Sequence, residues 1–179
     1  SLQRKFLAAS ASAFIVYGKR AEEYLQSLGV TPKKIFKAIN TVDTAFFQQK
    51  TSELQGKGKE SDNKHRLSYV GYLSERKKVG KLLESIRLLA DQRQDFVLNL
   101  IGDGDAKNDL QRQVKQMRLG DFVRFSGFKQ KHELPEYLAA TDVFLFQTGF
   151  DIWGLVLNEA MSAGLPCIVS PNAGAVDDL

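Results

Sequence analysis

The chain has 179 residues, 43% apolar and 26% charged, with a net charge of +4, proportions that suit a soluble globular domain able to bury a sizeable core. A single cysteine, Cys167, excludes an internal disulfide and a multi-cysteine metal site and fits a reducing compartment. No apolar run approaches the roughly 20 residues that span a bilayer, no signal-peptide pattern opens the chain, and the 25 basic residues are scattered among 21 acids rather than gathered into a nucleic-acid surface.

In chain order, residues 1–12 read as a short basic, alanine-rich lead-in. Residues 13–17 (AFIVY) are strand-like, and residues 19–28 have helical spacing through Ala21, Tyr24, Leu25 and Leu28, closed by Gly29. After Pro32, residues 34–39 (KIFKAI) are a second strand candidate. Residues 48–66 are polar and nearly free of apolar side chains, which predicts a mobile loop. From residue 67 the pattern becomes regular. Strands are predicted at 67–73, 96–101, 122–125, 143–146 and 166–170. Helices between them are marked by Val79, Leu82, Leu83, Ile86 and Leu89, by Leu110, Val114 and Met117, by Leu134, Tyr137 and Leu138, and by residues 154–163. Strands alternate with helices and are mostly continuous apolar runs. That is the signature of a parallel sheet covered on both faces, a doubly wound, Rossmann-like α/β domain. Residues 176–179 are predicted to begin a helix that the chain cuts off, as a fragment would.

In such sheets ligands bind beyond the carboxyl ends of the strands, which directs attention to the loops there. After the first of the five strands, Arg76, Lys77 and Lys78 place three cations at a predicted helix start, where an anion would relieve their conflict with the helix dipole. Gly102-Asp103-Gly104 invites a dinucleotide reading, but Lys107 stands where the third glycine of that fingerprint belongs, and a tight turn close to a ligand fits better. After the fourth strand comes Asp151, then Gly154, Leu155 and Val156, whose amides should be unsatisfied at a helix start and would seat a diphosphate. Glu159 lies inside the same helix among apolar residues; it is either a site residue or part of a polar stripe with Asn158 and Ser162. His65 and His132 read as isolated surface residues, and no metal-ligand spacing can be assembled.

These residues carry a resemblance. From residue 67 to 179 the chain resembles the C-terminal, donor-binding domain of group 1 retaining glycosyltransferases, one half of a GT-B fold. The matching segments are Tyr69-Val70-Gly71 with Leu73 and Lys77, Leu100-Ile101-Gly102-Asp103-Gly104, Val123-Arg124-Phe125-Ser126-Gly127, residues 138–144 and above all residues 151–166. Asn40-Thr41-Val42-Asp43 with Phe46 or Phe47 resembles the interdomain "NGVD" stretch of the family, with Thr41 in place of glycine.

The resemblance implies two parts: residues 1–31, a remnant of the N-terminal domain and interdomain segment, and residues 32–179, a nucleotide-sugar domain truncated at its C-terminus. It further implies transfer of a sugar from a nucleoside diphosphate to a saccharide or lipid-linked acceptor with retention, the acceptor being held by the N-terminal domain, so that the fragment alone is inactive. Asp151, which stands where the family has a glutamate, and the amides of residues 152–155 would face the donor sugar. Lys77 and the amides of Gly154, Leu155 and Val156 would stabilise the leaving diphosphate without a metal or cofactor, and Glu159 would hold the ribose hydroxyls. Gly71, Tyr72, Gly102, Gly104, Gly127, Phe128, Ile152 and Trp153 complete the expected nucleotide site. Tyr72 replaces the arginine usual there, so one of two expected cations is missing, and Arg76 or Lys78 are the candidates to replace it. The expected location is the cytoplasm, with the inner face of the membrane open for the full-length protein. A sugar-nucleotide epimerase of the same fold and a non-catalytic phosphate- or nucleic-acid-binding module remain as alternative readings.

Overall fold

The computed structural model describes residues 2–54 and 62–179. Helix α1 (Leu2–Ser10) is followed by β1 (Phe14–Val16), α2 (Lys19–Ser27), β2 (Ile35–Lys37) and α3 (Thr44–Leu54). The regular part then runs β3 (His65–Val70), α4 (Val79–Ala90), β4 (Phe96–Ile101), α5 (Lys107–Gln116), β5 (Val123–Gly127), α6 (Leu134–Ala139), β6 (Val143–Phe146), α7 (Leu155–Ser162) and β7 (Cys167–Val169).

Strands β3 to β7 form one parallel sheet in the order β5-β4-β3-β6-β7. The chain therefore winds outward from β3 in one direction and from β6 in the other. Between β3 and β6 the order reverses, and the helices that follow those two strands, α4 and α7, pack on opposite faces of the sheet, which leaves a crevice at the carboxyl ends of the strands. The apolar runs are explained by the layers. Tyr69, Leu98 and Leu100 pack with Leu82, Leu83, Ile86 and Leu110 of α4 and α5. Val70, Ile101, Phe144 and Phe146 pack with Phe47, Leu134, Leu138 and Ala160 of α3, α6 and α7. A strand covered on both faces has no solvent side, so FVLNLI in β4 is buried at every position but Asn99.

The first two strands form a separate parallel pair, Phe14 opposite Ile35 and Val16 opposite Lys37. This segment is tied to the loop after β7. The Lys19 amide donates to Asp178 at 2.7 Å, Arg20 pairs with Asp177 at 2.9 Å and reaches the Pro171 carbonyl at 2.6 Å, and Lys37 meets Asp178 at 3.4 Å.

Several expectations are corrected. The lead-in is helical over α1, and the polar stretch 48–66 is not a single loop: residues 48–54 continue α3, residues 65 and 66 open β3, and 55–61 lie outside the described residues. Phe47 and Thr51 anchor α3 on one side while its polar residues face outward, so one buried turn holds a helix whose composition reads as loop. Strand β3 ends at Val70 rather than Leu73, and the three cations lie on a 3₁₀ turn at Glu75–Lys77 and its left-handed exit at Lys78, not in the first turn of α4. Residues 176–178 form turns, and residues 176–179 do not begin a helix. Helix α7 is less enclosed than its composition suggests, since Leu155 and Met161 are 42% and 45% exposed.

Candidate functional site

The loops after β3 and β6 meet in the crevice. Lys77, on the 3₁₀ turn, donates to Asp151 in an ion pair, with side chains only 10% and 18% exposed. Its ammonium also lies 5.5 Å from the centroid of the Phe146 ring. Arg76 donates to the Phe150 carbonyl, and the Gly149 amide donates back to the Arg76 carbonyl at 3.0 Å. The two loops are thus stitched by backbone and side chain across 74 residues of sequence.

Asp151 is held from both sides. Its amide donates to the Asn172 carbonyl at 3.2 Å, its own carbonyl accepts from Gly174 at 2.9 Å, and its second carboxylate oxygen accepts from the Trp153 amide at 3.3 Å. Three residues on, Gly154 turns the chain into α7 with a φ of 94°, and a Cβ there would lie 2.5 Å from the Phe146 ring, so both space and backbone require glycine. The amides of Gly154, Leu155 and Val156 find no acceptor among the described residues, as expected for the first turn of a helix without a side-chain cap. Gly71, Lys77, Asp151, Ile152, Trp153, Gly154, Leu155 and Val156, with Asn40 and Val70, line one cleft of about 400 Å³. A buried cation, a carboxylate and a row of free N–H groups therefore face the same space.

Residues 50–179 match the family described as "Glycosyl transferases group 1". The chain belongs to that family. It is 34% identical over 115 residues to the amylovoran biosynthesis glycosyltransferase AmsK of Erwinia amylovora, covering 61% of this chain and 28% of that protein. It is 30% identical over 156 residues to the putative colanic acid biosynthesis glycosyltransferase WcaL of Salmonella typhimurium, covering 84% and 37%. The chain thus spans well under half the length of these relatives. Among solved structures, HepE of Anabaena in complex with UDP superimposes with a TM-score of 0.75 at 22% identity, covering 92% of this chain and 46% of that one. Sucrose-phosphate synthase of Thermosynechococcus elongatus gives a TM-score of 0.76 at 23% identity, covering 98% and 44%. These likenesses establish the fold; the epimerase and nucleic-acid readings gain nothing from them.

The remaining expected residues of this chain fall into two groups. Tyr72, Gly102 and Phe128 line a second, more apolar cavity of about 230 Å³ that shares Val70 and Gly71 with the first. Tyr72 and Phe128 stand at its mouth, 60% and 65% exposed. Gly104, Gly127 and Glu159 line neither space. Gly104 instead permits the chain to pass Leu73, whose carbonyl would lie 2.3 Å from a Cβ there, and the Gly127 carbonyl accepts from the Gly102 amide at 2.8 Å. Glu159 is half-buried, and burial pushes its carboxyl above the usual 4.5 while the charge of Lys131 pulls it back. Of the candidate replacement cations, Lys78 turns to Glu75 at 3.3 Å, whereas Arg76 reaches the loop that carries Asp151. Cys167 is a half-buried strand residue whose thiol is pushed up to about 11 by burial, which leaves it protonated and unreactive.

Two features were not expected from sequence. Asn158, which the polar-stripe reading of Glu159 placed on a half-exposed helix face, is buried; its side-chain oxygen accepts from the Trp153 indole at 3.0 Å and its amide donates to the Asn40 carbonyl at 3.4 Å. The interdomain-like stretch at residue 40 and the loop at 151–154 are therefore braced by one side chain, and Tyr17 adds an edge-on ring contact to Trp153 at 5.8 Å. A polar residue in an amphipathic helix gives no sign of which partner it meets, and here the partner, Trp153, stands five residues earlier, before the helix begins. The other feature is the hydroxyl of Tyr69, which is buried without a hydrogen-bond partner among the described residues. A third cleft of about 240 Å³ under α6, lined by Arg66, Asn99, Arg124 and Tyr137, lies at the amino-terminal half of the strands, away from these groups.

Proposed function

We propose that this chain is the donor-binding half of a retaining glycosyltransferase that moves a sugar from a nucleoside diphosphate to a saccharide or lipid-linked acceptor. The observation that carries the reading is the Lys77–Asp151 pair facing the free amides of residues 154–156 in one cleft at the reversal of strand order. As the bond to the sugar breaks, negative charge gathers on the diphosphate. Lys77 turns from Asp151 to that charge, and the amides, fixed in direction by the helix, meet it without reorganising. Fixed donors of this kind are worth about 2.7–4 kcal/mol each at a transition state. Asp151, released from Lys77, faces the sugar carbon from which the diphosphate departs. The base takes the apolar cavity between Tyr72 and Phe128, and Glu159 accepts from the ribose hydroxyls once the nucleotide closes over the start of α7.

The charge on the leaving group is met by Lys77 and backbone amides, so chelation with EDTA should leave the rate unchanged. The acceptor is held by a second domain, without which the chain binds donor but transfers nothing; the retention proposed here rests on the resemblance of residues 151–166 noted in the sequence. Among the described residues no helix is long and apolar enough to cross a membrane, and we assign the donor site to the cytoplasm, where nucleotide sugars are supplied. The test is a transfer assay with UDP- and GDP-sugars on a chain carrying this domain together with an acceptor domain, the anomeric proton of the product being read by NMR. A product of unchanged anomeric configuration is expected; an inverted product, or an epimerised nucleotide sugar with no transfer, would contradict the reading.

A further inference from the structure

Tyr69 sits on β3 two residues before Gly71 and is fully buried. Its ring belongs to the core beside Leu73, Leu83 and Leu98. Among the described residues its hydroxyl is the one buried side-chain polar atom that lacks a hydrogen-bond partner. Such a group destabilises the fold, and phenylalanine would fill the same space without that cost. A chain that keeps the hydroxyl has a use for it in another state.

The position of the hydroxyl says which state. A Cβ on residue 71 would lie 2.8 Å from the hydroxyl oxygen and 3.2 Å from the ring carbon that bears it. Gly71 is itself part of the wall of the cleft that contains Lys77, Asp151 and the free amides of α7. The hydroxyl thus ends directly behind that wall, where glycine leaves the smallest possible barrier. Burial first, then the charge of Asp151, hold the phenol above its ordinary 10.0, with Arg76 opposing. At neutral pH the group is therefore an intact O–H, a donor that requires an acceptor.

We propose that the Tyr69 hydroxyl is a binding group of the donor site and donates a hydrogen bond to an oxygen of the bound nucleoside diphosphate. This rests on the function proposed above. In the ligand-free chain Lys77 is held by Asp151 and the hydroxyl is enclosed. When a phosphate oxygen draws Lys77 away, the pair separates and the wall at Gly71 opens, so that the ligand supplies the acceptor the polypeptide lacks. The unpartnered hydroxyl costs stability in the empty protein and contributes affinity in the loaded one.

The experiment is Tyr69→Phe, which removes one oxygen and leaves the ring. Without ligand, the variant should melt about 2 °C or more above wild type. By calorimetry, its affinity for UDP or GDP should fall about tenfold, with affinity for the parent nucleoside unchanged. The opposed shifts separate a ligand-directed hydroxyl from one that only holds the core together. A variant that binds the diphosphate as tightly as wild type, or that melts lower and loses nucleoside and diphosphate alike, would overturn the inference while leaving the proposed function standing. A wild-type chain that binds neither diphosphate would overturn both.

Discussion

Two loops at the carboxyl ends of the sheet are built from the same kinds of residue and behave differently. Residues 102–106 (GDGDA) follow β4, and residues 149–154 (GFDIWG) follow β6. In the first, the polar groups satisfy one another. Asp103 accepts from the Gly104 amide at 2.8 Å and from Lys107 at 2.7 Å, Asp105 accepts from Ala106 at 3.1 Å, and the Ala106 amide also reaches the Leu73 carbonyl at 2.9 Å. In the second, the carboxylate is held by a lysine from another strand's loop, and three amides beyond it are left open. A loop that closes on itself shapes a site, whereas one that leaves donors free and aligned can bind an anion. Glycine and aspartate content does not distinguish the two cases; the partners do.

The comparison can be broken by mutation. Lys77→Ala should have the largest effect. It leaves the mostly enclosed Asp151 without its cation, costing about 2 kcal/mol of stability, and should weaken nucleoside diphosphate binding about 100-fold with a much smaller loss for the nucleoside. Lys77→Ala combined with Asp151→Ala should recover stability in thermal denaturation without recovering diphosphate affinity. Equal losses for diphosphate and nucleoside would remove the assigned role of Lys77.

Glu159→Gln is expected to be intermediate, with about tenfold weaker binding of nucleotide. Its pH dependence gives a second readout. Burial raises the folded-state pKa of Glu159 above the usual 4.5, so the charged form is disfavoured by folding. That penalty is full above the folded pKa and vanishes below the unfolded one. The glutamine variant should therefore melt higher than wild type at neutral pH and alike in acid below 4.5, and wild-type nucleotide affinity should fall as pH drops through the raised pKa. The smallest effect belongs to the self-satisfied loop. Asp103→Asn should leave diphosphate affinity unchanged in the same titration, and a loss approaching that of Lys77→Ala would erase the distinction between the loops.

The doubly wound sheet was legible because β4 and β6 are buried on both faces and admit almost nothing but apolar residues. Helix α4 was legible because Val79, Leu82, Leu83, Ile86 and Ala90 repeat at helical spacing. Helix α3 was not, since two aromatic residues and Thr51 suffice to dock it and the rest of its surface is polar. The start of β3 was hidden for a related reason: His65 and Arg66 sit at the open, amino-terminal end of the sheet, where the strand need not be apolar. At the site, Lys77, Asp151, Gly154, Leu155 and Val156 could be singled out one by one from strand-end position, helix-start chemistry and family resemblance. That Lys77 and Asp151 grip each other across the cleft could not, because the contact joins two loops through the reversal of strand order. The hydroxyl of Tyr69 was equally hidden, because a tyrosine in an apolar run reads as core, and its lack of a partner exists only in three dimensions.

The central claim is that the cleft between Lys77 and the start of α7 seats a nucleoside diphosphate. Calorimetric titration of the wild-type chain with UDP and GDP, set against uridine and guanosine, tests it most directly. Saturable binding of at least one diphosphate, clearly tighter than binding of its nucleoside and lost in Lys77→Ala, is the result predicted. Equal affinity for diphosphate and nucleoside, or no saturable binding of either diphosphate, would contradict it.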